Sequence, residues 1–108
     1  MKDPVAAAVS KADYCFIMDD DSMVGAHIFP GDLVFIRECD EPQSGKIMAA
    51  MLNGTVKIRR VWITPAGNVV FTPGGSGESI VRQADDMADI RIFGVAVETR
   101  HFLEEEYQ

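Results

Sequence analysis

No stretch of this chain is apolar for long enough to cross a bilayer as a helix. Histidine and cysteine are scarce, two of each, and Cys15 and Cys39 show neither metal-ligand spacing nor a disulfide framework. No metal and no cofactor are expected, and the two thiols read as reduced, as in a cytoplasmic protein. Basic charge is also short, with 10 Lys and Arg against 17 Asp and Glu and a net charge of −7. Such a surface repels a phosphate backbone, so the domain itself is not expected to bind nucleic acid. The run Lys57-Ile58-Arg59-Arg60 is too short to reverse that. The N-terminus has one lysine with Asp3 and Pro4 directly behind it, which makes a poor signal peptide. Gly74-Gly75-Ser76-Gly77 lacks the lysine and following helix of a phosphate-binding loop.

What is present is a set of short strands. The chain has 108 residues, 47% hydrophobic and 25% charged, which fits one globular domain. Tyr14 to Met18 is an apolar run of strand length, and Leu33 to Arg37 follows Pro30-Gly31, the pair favoured at the centre of a type II turn. Lys46–Leu52 and Thr55–Ile63 flank Asn53-Gly54, a strong hairpin signal. Val69-Val70-Phe71 comes after the turn residues Pro65 to Asn68, and Ile90 to Glu98 alternates before running apolar. Helical signal is confined to one turn at Met23–Ile28, ended by Pro30, and to a weak candidate at Ile80–Met87. The pattern predicts an all-β, β-rich fold. Residues 1–11 read as a linker or tail remnant, 12–103 as the domain, and 104–108 as an acidic tail.

The chemistry concentrates around Ser22, which lies between a strand and a tight turn in Asp20-Asp21-Ser22-Met23, ahead of Pro30-Gly31-Asp32-Leu33-Val34. Further along, Thr55-Val56-Lys57 puts a lysine inside an apolar strand. Taken alone, these are a turn serine and an edge-strand lysine facing solvent. Together, in this order and spacing, they resemble the self-cleaving peptidase family of LexA-like repressors, phage repressors and UmuD-like mutagenesis proteins. The resemblance runs from about Ala12 to Glu98, and Ile92 to Val97 is similar to the family's closing strand.

That resemblance implies a LexA/signal-peptidase-like compact β fold of short twisted strands and hairpins, with one or two short helical turns at most. It implies a C-terminal self-cleavage and dimerisation domain of a transcriptional repressor, a hydrolase acting once on itself. Ser22 would be the nucleophile and Lys57 the general base, provided burial lowers the lysine pKa towards neutrality. The backbone N–H groups of Ser22 and Met23 would hold the oxyanion. The family dimerises through its last strand, so a homodimer using Ile92, Phe93 and Val95 is expected. DNA would be met only through a helix-turn-helix domain not contained in this chain, with a helper protein possible for cleavage and no membrane partner. The alternatives are a non-catalytic dimerisation module of a helix-turn-helix regulator, a UmuD-like fragment, and a signal-peptidase relative, the last disfavoured because no membrane anchor is seen.

Two departures from the family stand out. Asp20 occupies the place where the family usually has glycine, and carboxylates near Lys57 would stabilise its ammonium form and oppose base catalysis. Cleavage is therefore expected to be slow or absent at neutral pH and faster in alkali. The family's cleavage site, a small residue followed by glycine, is missing upstream of Ser22, which suggests a fragment. His27 reads as an exposed loop residue, Asp32 as a turn residue capping local N–H groups, and His101 carries no expectation.

Overall fold

The computed structural model describes residues 12–75 and 77–103. The strands are β1 (Tyr14–Ile17), β2 (Leu33–Glu38), β3 (Ile47–Leu52), β4 (Thr55–Ile63), β5 (Asn68–Thr72), β6 (Ile80–Gln83) and β7 (Arg91–Arg100). Asn53 and Gly54 set the hairpin at the centre of the molecule. Both have positive φ, 53° and 84°, as a type I′ turn requires. The turn fixes the β3–β4 register, with Leu52 opposite Thr55, Ala50 opposite Lys57 and Met48 opposite Arg59. Among the described residues all pairings are antiparallel, in one seven-stranded sheet of order β1-β2-β7-β3-β4-β5-β6.

The fold class is all-β, as the pattern predicts. The helical candidate at Met23–Ile28 is a single 3-10 turn, Val24–Ala26. The candidate at Ile80–Met87 is not helical: Ile80–Gln83 pairs with β5, and its exposure alternates residue by residue. The open edge of β5 offers a ladder to any short alternating segment that reaches it, and that ladder outweighs a weak local propensity. The linker and tail readings, 1–11 and 104–108, lie outside the described residues.

β3 is apolar along its length because it separates two cores. Successive side chains point to opposite faces. Ala49 joins Met18, Met23, Ile28, Val34, Ile36, Ile58 and Phe93. Met48, Ala50 and Leu52 join Val61, Val69, Phe71 and Val95. Two residues expected at a dimer contact are thus buried within this chain. Phe93 lies edge-on to the rings of Tyr14 and Phe16, at 5.8 and 5.4 Å between centroids, and Val95 belongs to the second core. Ile92 is half-buried against that second core. The reason is topological: β7 runs between β2 and β3 and is enclosed there.

β7 bulges where it passes β3, and at Gly94 it runs close against β2 on its other side. A Cβ at Gly94 would come within 2.1 Å of the Arg37 carbonyl oxygen. Gly94→Ala is therefore expected to cost about 3 kcal/mol of stability, the upper end of what overpacking typically costs. Urea unfolding of the two proteins checks this.

Candidate active site

The segment between β1 and β2 is closed at its base by two backbone bonds, Met18 N–H to Asp32 O and Gly31 N–H to Met18 O, both 2.8 Å. Inside it, Phe29-Pro30-Gly31-Asp32 forms the type II turn read from the sequence. Asp32 N–H donates to Phe29 O at 3.0 Å, and Gly31 has φ of 90°. Asp32 is only 1% exposed, and its Oδ2 accepts from Phe29 N–H at 2.9 Å. This is the capping role expected of it. Its Oδ1 lies 2.6 Å from His101 Nδ1, a partner that nothing in the sequence marks.

Met23 anchors the other half of the loop. It is fully buried, and Ala26 and Ile28 N–H both donate to its carbonyl. Because Met23 must point into the first core, Ser22 is delivered to the core's rim, itself buried at 8% exposure. Gly74, just past β5, donates to the Ser22 carbonyl at 2.8 Å. The contact is tight, since a Cβ at Gly25 would come within 1.8 Å of Gly74 O. β5 pairs with β4 only from Arg60 to Ile63. The Thr55–Arg59 part of β4 is thereby left unpaired on that side among the described residues, and the Ser22 loop comes up beside it.

The polar surroundings of Ser22 are specific. Its hydroxyl donates to Asp20 Oδ1 at 2.6 Å, and its backbone N–H donates to the same oxygen at 3.0 Å. The cation that reaches its Oγ is Arg59, whose Nη1 donates at 2.7 Å and also to the Ile58 carbonyl at 2.8 Å. Arg59 Nη2 stands 4.0 Å from Asp20 Oδ2, at the outer limit of an ion pair. The Arg59 side chain is 11% exposed, so its charge depends on these partners. Partial burial pushes the Asp20 carboxyl upward. The hydroxyl and N–H of Ser22, with the charges of Arg59 and Lys57, outweigh it, and the carboxyl sits below its ordinary 3.8.

Lys57 is half-buried two residues before Arg59, on the same side of β4. It lines a cleft of about 190 Å³ together with Asp19, Asp20, Phe16 and Thr55. The structure thus gathers Ser22, Asp20, Lys57 and Arg59 into one neighbourhood, with Arg59 in contact with the hydroxyl. The Ser22 N–H, expected to hold an oxyanion, is engaged by Asp20, and Met23 uses its side chain as a core anchor. His27 is exposed, with φ of 64°, at the end of the 3-10 turn. Arg59 was not singled out by sequence reasoning. Two cations on one side of a strand look alike until their reach to the serine is known.

A folded-state pKa below the ordinary value means that the Asp20 charge stabilises the fold above about pH 3.9. That contribution is lost as pH falls through the lowered folded value. Asp20→Asn should therefore be less stable than the parent at neutral pH, and the gap should close only below pH 3.8. Urea titrations at neutral and strongly acidic pH measure both gaps.

A sequence model of the family described as Peptidase S24-like matches residues 2–97. The chain is 34% identical over 85 residues to the LexA repressor of Desulfatibacillum aliphaticivorans, covering 72% of this chain and 38% of that one. It is 33% identical over 92 residues to the LexA repressor of Burkholderia cenocepacia (strain HI2424), covering 85% and 42%. With the LexA repressor of Anaeromyxobacter dehalogenans (strain 2CP-1) it shares 29% over 96 residues, covering 88% and 42%. The chain spans about two-fifths of the length of these relatives. A loop serine carried between a strand and a type II turn, facing a cationic β4 in an all-β sheet, agrees with what these matches give: the chain belongs to the Peptidase S24-like family, as a LexA-like domain.

Proposed function

We propose that this domain is the regulatory body of a LexA-like transcriptional regulator and that its peptidase-type site is held shut. The observation that carries this is the double use of Asp20. One carboxylate oxygen accepts hydrogen bonds from both the Ser22 hydroxyl and the Ser22 N–H, so nucleophile and oxyanion donor are engaged by the same group.

Acyl transfer by Ser22 needs a base that accepts its proton, an N–H free to meet the tetrahedral oxyanion, and a peptide strand alongside. Asp20 touches the hydroxyl, but a carboxylate below its ordinary pKa is a poor proton acceptor at neutral pH. Arg59 touches the oxygen, and a guanidinium does not give up its proton in a protein. Lys57 is the residue that could serve as base. For that, its amine must replace Arg59 at the hydroxyl and Asp20 must let go. A helper protein or a conformational change that breaks the Asp20 bonds is what a cleaving form of this site would require. The lysine's position on the cleft beside Asp20 is what favours this second reading, Ser22–Lys57 self-cleavage of an upstream linker.

DNA binding, in this reading, belongs to a part of the protein outside this chain, in keeping with the net charge of −7. Dimerisation remains part of the proposal, with its surface moved along β7. The β3–β7 ladder ends at Met48–Val95, so from Ala96 onward β7 has β2 on one side and an open edge on the other among the described residues. That edge carries Val97, 36% exposed, and can pair with its own copy across a two-fold axis.

Two outcomes are expected. A full-length form incubated from neutral to alkaline pH should stay intact, indistinguishable from its Ser22→Ala variant by gel. Ser22-dependent cleavage that accelerates in alkali would favour the Ser22–Lys57 reading. Sedimentation at micromolar concentration should give twice the monomer mass, with Val97→Lys weakening association roughly tenfold. A monomer would remove the dimer.

A further inference from the structure

We infer that Arg59, together with Asp20, decides whether Ser22 can react, because its guanidinium fills one of the two hydrogen-bonding places at the hydroxyl that an activating amine could take, Asp20 holding the other. The inference deepens the held-shut reading and rests on it. A base must come within hydrogen-bond reach of the hydroxyl it activates, about 2.6–3.2 Å. Arg59 Nη1 lies at 2.7 Å from Ser22 Oγ, and among the described residues no other cationic group has a hydrogen bond to that oxygen.

Geometry fixes Arg59 there from three directions. The β3–β4 register pairs Arg59 with Met48, and Met48 is buried in the second core, so β4 cannot slide to exchange Arg59 for Lys57. The Ile58 carbonyl holds the same nitrogen at 2.8 Å, which tethers the guanidinium close to its own strand. Asp20 sits across from it and binds the serine rather than forming a short ion pair. Nη1 therefore donates one hydrogen to Ser22 and one to Ile58, and neither nitrogen nor charge is available to receive a proton. The Ser22 hydroxyl points its hydrogen at Asp20 and accepts from Arg59. It is a structural tie between the loop and β4. Arg59 is a positioning residue in this arrangement, and the place it fills becomes a catalytic one if an amine stands there.

The consequence is a gain of reactivity when an amine replaces the guanidinium at position 59. Arg59→Lys places an amine near Oγ, and Asp20→Gly with Arg59→Lys also removes the carboxylate that would keep that amine charged. Reactivity is read with a fluorophosphonate on the whole chain. Ser22 Oγ forms a bond to phosphorus as the P–F bond breaks, the hydroxyl proton passes to the introduced amine, and fluoride leaves. The parent and Arg59→Met should stay unlabelled from neutral to alkaline pH, while at least one of the two lysine-bearing variants labels at Ser22. The gain should be roughly a hundredfold and rise with pH as the amine loses its proton. Adding Lys57→Met should leave that gain in place, and adding Ser22→Ala should abolish it. Circular dichroism and thermal midpoints confirm that each variant is folded.

Three results would overturn the inference: folded lysine-bearing variants that remain silent, Arg59→Met labelling as well as Arg59→Lys, or a parent whose alkaline labelling disappears with Lys57→Met. Silence of the lysine variants with an intact full-length parent defeats only the role given to Arg59. Ser22-dependent self-cleavage of the parent defeats the held-shut reading itself.

Discussion

The hydroxyl of Ser22 is held between an anion and a cation, Asp20 on its proton and Arg59 on its oxygen, and the rest of the site follows from how that bridge is built. Neither partner could be there without the fold around it. Met23 is buried and holds the loop against the first core, and Ser22 beside it is buried as well. The type II turn at Pro30-Gly31 and the buried Asp32 carboxylate close the loop behind it. On the other side, the Asn53-Gly54 turn sets the β4 register and with it the position of Arg59.

Burial gives the bridge its strength. A guanidinium 11% exposed cannot be left unpartnered, because desolvating a charge without hydrogen bonds is costly. The serine oxygen and the Ile58 carbonyl answer that need, with the Asp20 charge nearby. What stabilises the arginine is therefore what occupies the serine. Asp20 accepts from the N–H as well as from the hydroxyl, through one carboxylate oxygen. A site with a serine, a lysine and an all-β frame thus reads as a peptidase in outline and as a fixed polar network in detail.

Much of the frame was legible in the sequence. Strands with clear alternation or flanked by Asn53-Gly54 and Pro30-Gly31 appear where expected, since turn chemistry constrains φ and needs no tertiary information. β6 was not legible: Ile80–Gln83 is short and mixed in charge, and its strand character comes from the edge of β5. Ser22 and Asp20 stood out because they lie in one continuous motif. Arg59 did not, because its meaning depends on where β5 stops pairing and on how far a side chain reaches across space. His101 is the same kind of case, since its partner Asp32 is far away in sequence and near only once β7 lies beside β2. Phe93 and Val95 read as interface residues because an apolar terminal strand looks available. The order of the sheet puts them inside.

Which cation meets the Ser22 oxygen is tested directly by a crystal structure at neutral pH, resolved well enough to place side-chain nitrogens. Arg59 Nη1 and Asp20 Oδ1 are both expected within hydrogen-bond distance of Oγ, with the Lys57 amine facing the cleft. Density placing the Lys57 amine on Oγ, with Arg59 turned to solvent and the Ser22 N–H free, would contradict it.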